Sequence, residues 1–574
     1  MPSRRRVLLA AALLAATAFA VAQELPAPRV RVDQVGYPLG QLNVAIVTGQ
    51  TTATEASIRE RSSGQVVLTV PLGPPSTDPQ SGDLVRRADL SPVGVRGFYV
   101  VDVPGVGTSD PFRLDRNVYG RVLYLAMRSF YGQRCGTRVD LGRDFSGFRH
   151  EACHVTDAAF HPSSGRTGRT RATRGWHDAG DYGKYIVNSG ISTGELLWAW
   201  EWYPQVFRDL PLDIPESSNA TPDVLDEIRW NLDWMLTMQD ADGGVWPKLT
   251  SEKFGSFVMP EKDDGGLRYI IGTGSPPYKS SCATAHFAAV MAIAGRVYRP
   301  FDGAFASATL GAARRAFTWV EAHPDVLFKN PEGVSTGEYG DNRCTDERLW
   351  AAAELLRTTG EAQFDAAARA LAPEFHVAAN APQSWANVAN LGLWAYALAG
   401  AGATDAALQA RIRTETVDAA AQVAARTAAS GWRHALTDRD FVWGSNGVVA
   451  NYGVLVLAAE RFDRRPAFIG TALEQVHYLL GRNTFGLSWV TGVGARPFRH
   501  PHHRPSGADT TDDPWPGLLS GGPLARPADP VMAKLAAYPP ARGYVDDEGA
   551  YSANEVAINW NAPLVFLLAG VEGR

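Results

Sequence analysis

Two aspartates three residues apart carry the first chemical suggestion in this sequence. In Gly175-Trp176-His177-Asp178-Ala179-Gly180-Asp181-Tyr182-Gly183-Lys184-Tyr185, Asp178 and Asp181 flank a glycine. Their carboxylates can therefore converge on one small volume, as holding a water molecule and removing its proton requires. A solvated acidic turn is the other reading of the same residues. The adjacent Trp and Tyr side chains shift the balance toward a site, because sugar rings stack on aromatic faces. A third carboxyl, Glu555, stands in Tyr551-Ser552-Ala553-Asn554-Glu555-Val556-Ala557-Ile558-Asn559-Trp560-Asn561. The sequence predicts that it opens an apolar helix over 553–570. At the edge of the core, desolvation would raise its pKa toward that of a general acid. An ordinary first-turn glutamate favoured by the helix dipole would shift the opposite way.

Cys135, Cys153, His154 and His177 form a second group. Two thiolates and two imidazoles make a complete tetrahedral zinc set of the closed, structural kind. A Cys135–Cys153 disulfide is the competing reading, since the spacing matches no zinc-finger pattern. Both histidines fall close by, and a metal held there would fix the loop that bears Asp178. Cys282 and Cys344 suggest no ligand role and read as buried free thiols.

These groups must be positioned by two regions of different periodicity. Residues 28–104 read as short β runs, with Val30 and Val32 alternating with charged neighbours and turn clusters such as Gly73-Pro74-Pro75-Ser76 between runs. This is the pattern of a small β-sandwich. Beyond about residue 117 the period is helical, and twelve candidate helices follow, the clearest at 222–239, 281–298, 304–322, 345–359, 384–400, 405–427, 446–460, 467–481 and 553–570. In the first of these, Thr221 suits the cap, Pro222 the first turn, and Leu225, Ile228, Leu232, Met235 and Leu236 one face. Helices without intervening strands predict an all-α toroid whose long loops carry function.

The 574 residues are 45% hydrophobic and 20% charged, with 16 Trp, 18 Tyr and 23 Phe. That excludes a disordered chain. A net charge of −5 gives no reason to expect nucleic acid or an anionic membrane as partner, and a neutral substrate fits better. Residues 1–22 have the Arg-rich start, apolar run and Ala20-Val21-Ala22 ending of a signal peptide, so secretion to the periplasm or beyond is expected, without a membrane anchor. Four cysteines exclude a disulfide scaffold.

These segments resemble glycoside hydrolase family 9, the inverting cellulases, over nearly the whole chain. Ser488-Trp489-Val490-Thr491-Gly492-Val493-Gly494-Ala495-Arg496 with Pro501-His502-His503-Arg504 fits one family signature, and the Tyr544 to Ala562 stretch fits the other. Val32-Asp33-Gln34-Val35-Gly36-Tyr37 and Trp443-Gly444-Ser445-Asn446 look like further landmarks. The resemblance implies a signal peptide at 1–22, an immunoglobulin-like sandwich at 23–112 and an (α/α)6 barrel at 113–574. It implies Asp181 as general base, Asp178 as the residue holding the water, and Glu555 as general acid. His502, Arg504, Trp443 and Tyr551 would contact substrate. By residue type, Trp176, Trp246 and Trp489 join Trp443 as stacking candidates, with burial in the core as the default reading of any single Trp. Cys135, Cys153, His154 and His177 would hold structural zinc, and Asp341, Asp346 and Glu347 resemble a calcium loop. The expected substrate is the internal β-1,4 bond of cellulose or a related β-glucan, cut by a monomer. An exo-acting enzyme of the same family and a non-catalytic carbohydrate-binding protein are the rival readings. One departure from many relatives is Trp246-Pro247, where they carry Tyr-His at a subsite.

Overall fold

The computed structural model describes residues 27–400, 404–535 and 537–573. The proposed signal peptide at 1–22 lies outside these residues. The chain first builds two facing sheets from β1 (Val30–Arg31), β2 (Gly36–Pro38), β3 (Val44–Thr48), β4 (Glu55–Glu60), β5 (Val66–Pro71), β6 (Ser76–Thr77), β7 (Leu84–Asp89), β8 (Gly97–Val103), β9 (Gly107–Thr108) and β10 (Phe112–Asp115). One sheet runs β1-β3-β7-β6 and the other β2-β10-β8-β4-β5, with β9 on β8. Alternating residues such as Ala56, Ile58, Tyr99, Val101 and Val103 point into a shared core. The last strand runs through Asp115, three residues past the end expected from the resemblance.

Twelve longer helices follow: α1 (Gly120–Gly132), α2 (Ile186–Trp202), α3 (Asp223–Thr237), α4 (Ser281–Val297), α5 (Gly303–Ala322), α6 (Thr345–Thr359), α7 (Ala362–Leu371), α8 (Ala389–Ala397), α9 (Ala406–Ala429), α10 (Ser445–Phe462), α11 (Pro466–Leu479) and α12 (Ile558–Glu572). They alternate between an outer and an inner ring, the inner one formed by α2, α4, α6, α8, α10 and α12. Inner helices such as α4 are buried on nearly every face, because α4 packs between its inner neighbours α2 and α6 and its outer partner α5. This is an (α/α)6 barrel.

Three helix starts differ from expectation. α8 begins at Ala389, five residues after the expected 384, because Ser384 and Asn387 pair with each other in a turn ahead of it. α3 begins at Asp223, with Pro222 rather than Thr221 at its cap and no side-chain cap hydrogen bond. The Asp223 carboxylate instead accepts from the Leu212 amide at 2.7 Å and the Ser217 hydroxyl at 2.6 Å, so it anchors the preceding loop. α12 begins at Ile558, leaving Glu555 outside the helix in extended backbone. Cys282 and Cys344 are not free thiols. They form a disulfide between the first turn of α4 and the residue capping α6.

The sandwich is bolted to the barrel through buried polar groups. Asp33 accepts from the Val35 and Gly36 amides and from Tyr119 Oη at 3.0 Å, and its Oδ2 lies 2.9 Å from His477 Nδ1. The Gln34 side chain donates to Gly486 O and accepts from the Arg496 amide. From the barrel side, Trp432 buries its ring among Val44, Ile46 and Val85 and donates to Ser81 Oγ. Burial pushes the Asp33 carboxyl up to about 8 and holds His477 well below the usual imidazole range. A protonated Asp33 is therefore favoured in the folded state, so its share of stability is present at low pH and is lost as pH rises through about 8. We expect Asp33→Ala to cost about 2–3 kcal/mol, because it leaves the Val35 and Gly36 amides without their buried acceptor. Asp33→Asn, which resembles the protonated acid, should cost less. Urea unfolding midpoints at pH 6 check the order; equal losses would show that Asp33 works as an anion.

Candidate active site and metal centre

The residues that face the cleft sit on the segments that lead into inner helices. Asp178 and Asp181 precede α2, Tyr339 precedes α6, Trp385 precedes α8, Trp443 precedes α10, and Glu555 precedes α12. The inner helices thus direct their N-termini, with their partial positive charge, toward the cleft. A cavity of about 870 Å3 gathers Asp178, Asp181, Glu555, His502, Arg504, Trp443 and Tyr551, together with Tyr185, Tyr339, Trp385 and Trp560.

Asp178 is buried and doubly held. Asn188, in the first turn of α2, donates to its Oδ1 at 2.7 Å, and Tyr339 Oη donates to its Oδ2 at 2.5 Å. Burial, reinforced by the charge of Asp181, pushes Asp178 up to about 8, while these two hydrogen bonds pull the other way. Asp181 is more open. Its Oδ2 accepts from the Gly183 amide at 2.9 Å and lies 3.4 Å from Tyr185 Oη, leaving its other oxygen without a protein hydrogen bond among the described residues. Gly180 must be glycine, since a Cβ there would stand 2.0 Å from His502 O.

Glu555 is held by its backbone between two segments. Its carbonyl accepts from the Gly521 amide at 2.7 Å, and it bridges to His502. Burial, then the charges of Asp181 and Asp178, raise its carboxyl well above the ordinary range. The expected direction for a general acid is met, although Glu555 is not the first-turn residue that the periodicity suggested.

The remaining expectations divide. His502 Nδ1 is 2.8 Å from Glu548 O, so Nδ1 carries the proton and Nε2 is left for the cleft. Arg504 lines the cleft, but its guanidinium donates to the carbonyls of Gly180, Gly255 and Ser256, so it braces the loops around Asp181. Trp443 is 44% exposed, with its ring 5.6 Å from that of Tyr551, a platform for a sugar face. Trp176, Trp246 and Trp489 are buried and belong to the core, donating to Glu227 and Ser164 in the first two cases. Asn188, Tyr185, Tyr339 and Trp385 were not singled out from the sequence. The glycine-flanked Gly337-Glu338-Tyr339-Gly340 in a long coil was the available signal for Tyr339.

The donor atoms of Cys135, Cys153, His154 and His177 lie within 4.8 Å of one another. Cys135 Sγ is 3.6 Å from His154 Nδ1, and Cys153 Sγ is 3.7 Å from His177 Nε2. A tetrahedron with metal–sulfur bonds of about 2.3 Å and metal–nitrogen bonds of about 2.05 Å has mixed edges of about 3.6 Å. The far nitrogen of His154 is 3.1 Å from Asp263 Oδ2, the partner that orients a ligating imidazole. The four residues fit a metal ion and are not a disulfide. At the expected calcium loop, Asp341 and Glu347 come together, but Asp346 accepts from the Val388 amide and the neighbouring Cys282 sulfur is in the disulfide. Two side-chain carboxylates fall short of the six or more oxygens calcium takes. Glu347 is buried facing His286 at 3.7 Å, and burial raises its carboxyl well above the usual range.

Metal analysis of purified protein should return one ion per chain at the Cys2His2 cluster, and denaturation with a chelator should expose two thiols among the four cysteines. Four thiols, or none, would contradict the assignment.

Comparison with known proteins places this geometry. The profile described as "Glycosyl hydrolase family 9" matches residues 119–568, and "Cellulase N-terminal ig-like domain" matches residues 25–108. Endoglucanase D of Acetivibrio thermocellus is 35% identical over 94% of this chain and 83% of its own. A xyloglucan-specific endo-β-1,4-glucanase of Bacteroides ovatus is 34% identical over 96% and 94%. The crystal structure of a Zn-binding triple mutant of family 9 endoglucanase J30 superposes with a TM-score of 0.86 at 36% identity, covering 93% of this chain and 99% of that one.

Proposed function

Because the chain belongs to glycosyl hydrolase family 9, we propose that it is an exported endo-β-1,4-glucanase, hydrolysing internal bonds of cellulose or a related β-glucan with inversion. The observation that carries this reading is the meeting of Asp178, Asp181 and Glu555 in one aromatic-lined cleft. A protein that only bound sugars would need the aromatic rings, not three carboxyls converging on one cleft. The names of the relatives, endoglucanase D and the xyloglucan-specific endo-β-1,4-glucanase, point to the same activity.

The chemistry follows from the environments. Burial raises the Glu555 carboxyl well above the ordinary range, so it serves as the acid, donating its proton to the glycosidic oxygen as the bond to the anomeric carbon breaks. Asp181, with one oxygen open to the cleft, takes a proton from water. Asp178, locked by Tyr339 and Asn188, holds that water in place. The water attacks the anomeric carbon from the face opposite the departing sugar, so a single displacement inverts the configuration and forms no sugar–enzyme bond. The ring faces of Trp443, Tyr551 and Trp385 would carry sugar units along the cleft. Zinc is the metal proposed for Cys135, Cys153, His154 and His177. Held by those four side chains, zinc would have no position for substrate and would supply rigidity to the loop that carries His177 and Asp178. Residues 1–22 supply the export signal, and no helix among the described residues is long and apolar enough to cross a membrane. A monomeric state is proposed with it.

A paired time course on carboxymethylcellulose tests the assignment. Wild type should lower viscosity steeply while few reducing ends form, and Glu555→Gln should lose at least about 10²-fold in kcat. Activity should fall as pH rises through the raised pKa of Glu555, because the acid must be protonated to act, and Glu555→Gln should abolish that alkaline limb. Reducing ends accumulating at nearly constant viscosity would mean an exo-acting enzyme. An unchanged rate in Glu555→Gln would remove Glu555 from the mechanism.

A further inference from the structure

Residues 323–344, between α5 and α6, run without helix or strand. Unstructured loops beyond about 15 residues are uncommon in compact domains and tend to be functional. This one delivers Tyr339 to Asp178 and lines the cleft with Asn330, Thr336 and Glu338. Both its ends are fastened to the start of α4. Val326 exchanges hydrogen bonds with Ser281 at 2.7 and 2.9 Å, and Cys344 is joined to Cys282. Such anchors fix the base of a loop and leave its middle free to shift.

The middle is tied down at several points: the Ser335 amide donates to Glu252 O at 2.7 Å, and Thr336 Oγ1 lies 2.8 Å from Thr250 Oγ1. One buried side chain reaches three of its residues at once. Lys248 stands on the strand β13 (Lys248–Thr250), in a small sheet that also includes β11 (Ala159–Phe160), β12 (Lys184–Tyr185) and β14 (Tyr269–Ile271). The residue is 1% exposed. Its ammonium reaches Asn330 Oδ1 at 2.7 Å, Gly337 O at 2.8 Å and Thr336 Oγ1 at 3.0 Å, with Thr336 O at 3.3 Å. Three donors thus meet acceptors spread over eight residues of the loop. The rings of Tyr185 and Phe328 flank the ammonium at 5.6 and 5.8 Å. No carboxylate lies within ion-pair distance among the described residues, so this is a buried cation without a salt bridge, and burial pushes its pKa down to about 7. An apolar side chain would avoid that desolvation cost. What an apolar side chain cannot do is satisfy the carbonyl of Gly337, two residues before Tyr339, or Asn330 Oδ1.

We propose that Lys248 is a positioning residue for hydrolysis, holding residues 330–339 by hydrogen bonds so that the Tyr339 hydroxyl stays on Asp178. The inference rests on the reading of Asp178, Asp181 and Glu555 given above. Lys248 acts through Tyr339 and not on the sugar, and that distinction can be measured.

The test is a double-mutant cycle in the full-length protein, with Lys248→Met, Tyr339→Phe and the pair, assayed for kcat and KM on carboxymethylcellulose. Lys248→Met should lower kcat by about 10–10²-fold, the scale set by a misplacement of about 1 Å, with KM changed far less. In the Tyr339→Phe background the same substitution should cost less than about 3-fold, since the contact it protects is already gone. Asn330→Ala, which removes one acceptor and leaves the core intact, should act in the same direction with a smaller loss and show the same dependence on Tyr339. It replaces Lys248→Met in the cycle should that variant fail to fold. Losses that multiply independently, or a Lys248→Met enzyme with wild-type kcat, would overturn the proposal. The parent reading fails differently, through a Glu555→Gln variant that keeps the wild-type rate.

Discussion

The two hydrogen bonds that Asn188 and Tyr339 give to Asp178 constrain everything else at the cleft. A carboxyl 1% exposed is tolerated only when its lone pairs are met. The donors come from different elements, one from an inner helix and one from the loop between α5 and α6, and Asn188 Nδ2 also lies 3.1 Å from Tyr339 Oη. Once they are in place, Asp178 has a single orientation, its carbonyl takes the Ile558 amide at 2.9 Å, and the start of α12 is fixed relative to the start of α2. Glu555, three residues before Ile558, inherits its position from that bond. The pair of aspartates and the distant glutamate are thus registered through backbone and not through contacts with one another.

The barrel explains why such a registration is available. Alternation of outer and inner helices sends every inner helix the same way, so the loops entering them converge at one end, where their N-termini favour negative charge. Within that field the three acids experience different surroundings. Asp178 is enclosed, Asp181 keeps an open oxygen, and Glu555 is desolvated and faces two other carboxyls, which is how one fold keeps one acid protonated beside a base. The Cys2His2 cluster serves the same end from below, since His177 is the residue before Asp178. Among the described residues, the sandwich contributes none to the cleft. Through Asp33, Gln34 and Trp432 it covers the outside of the barrel near α11 instead.

The fold was largely legible because both periodicities are long and regular, and helices such as Ser281–Val297 and Thr345–Thr359 lie within a residue of the expected ranges. Asp178, Asp181 and the cysteine–histidine set could be picked out as candidates from residue type, but a solvated turn and a disulfide stayed open for them until the family resemblance assigned their roles. Three things were not legible. The apolar run after Ala553 hides the break at 555–557, because a buried extended segment and a buried helix have the same composition. The Cys282–Cys344 disulfide joins residues 62 apart, and nothing in either local sequence announces the other. The burial of Trp176, Trp246 and Trp489 depends on packing between distant helices, so their neighbourhood in the sequence suggested a surface role they do not have. Arg504 was read as a sugar contact from its motif, while the structure ties most of its donors to backbone carbonyls.

The most direct measurement of the central claim is the anomeric configuration of the first product. Proton NMR of the enzyme acting on a short β-1,4-linked glucan oligosaccharide, recorded faster than mutarotation, distinguishes the two anomers at the newly formed reducing end. If Asp181 activates a water held by Asp178 while Glu555 protonates the leaving oxygen, the α-anomer appears first and the β-anomer grows in only by mutarotation. A β-anomer formed first would require two displacements through a sugar–enzyme bond, and would contradict the roles assigned to both aspartates.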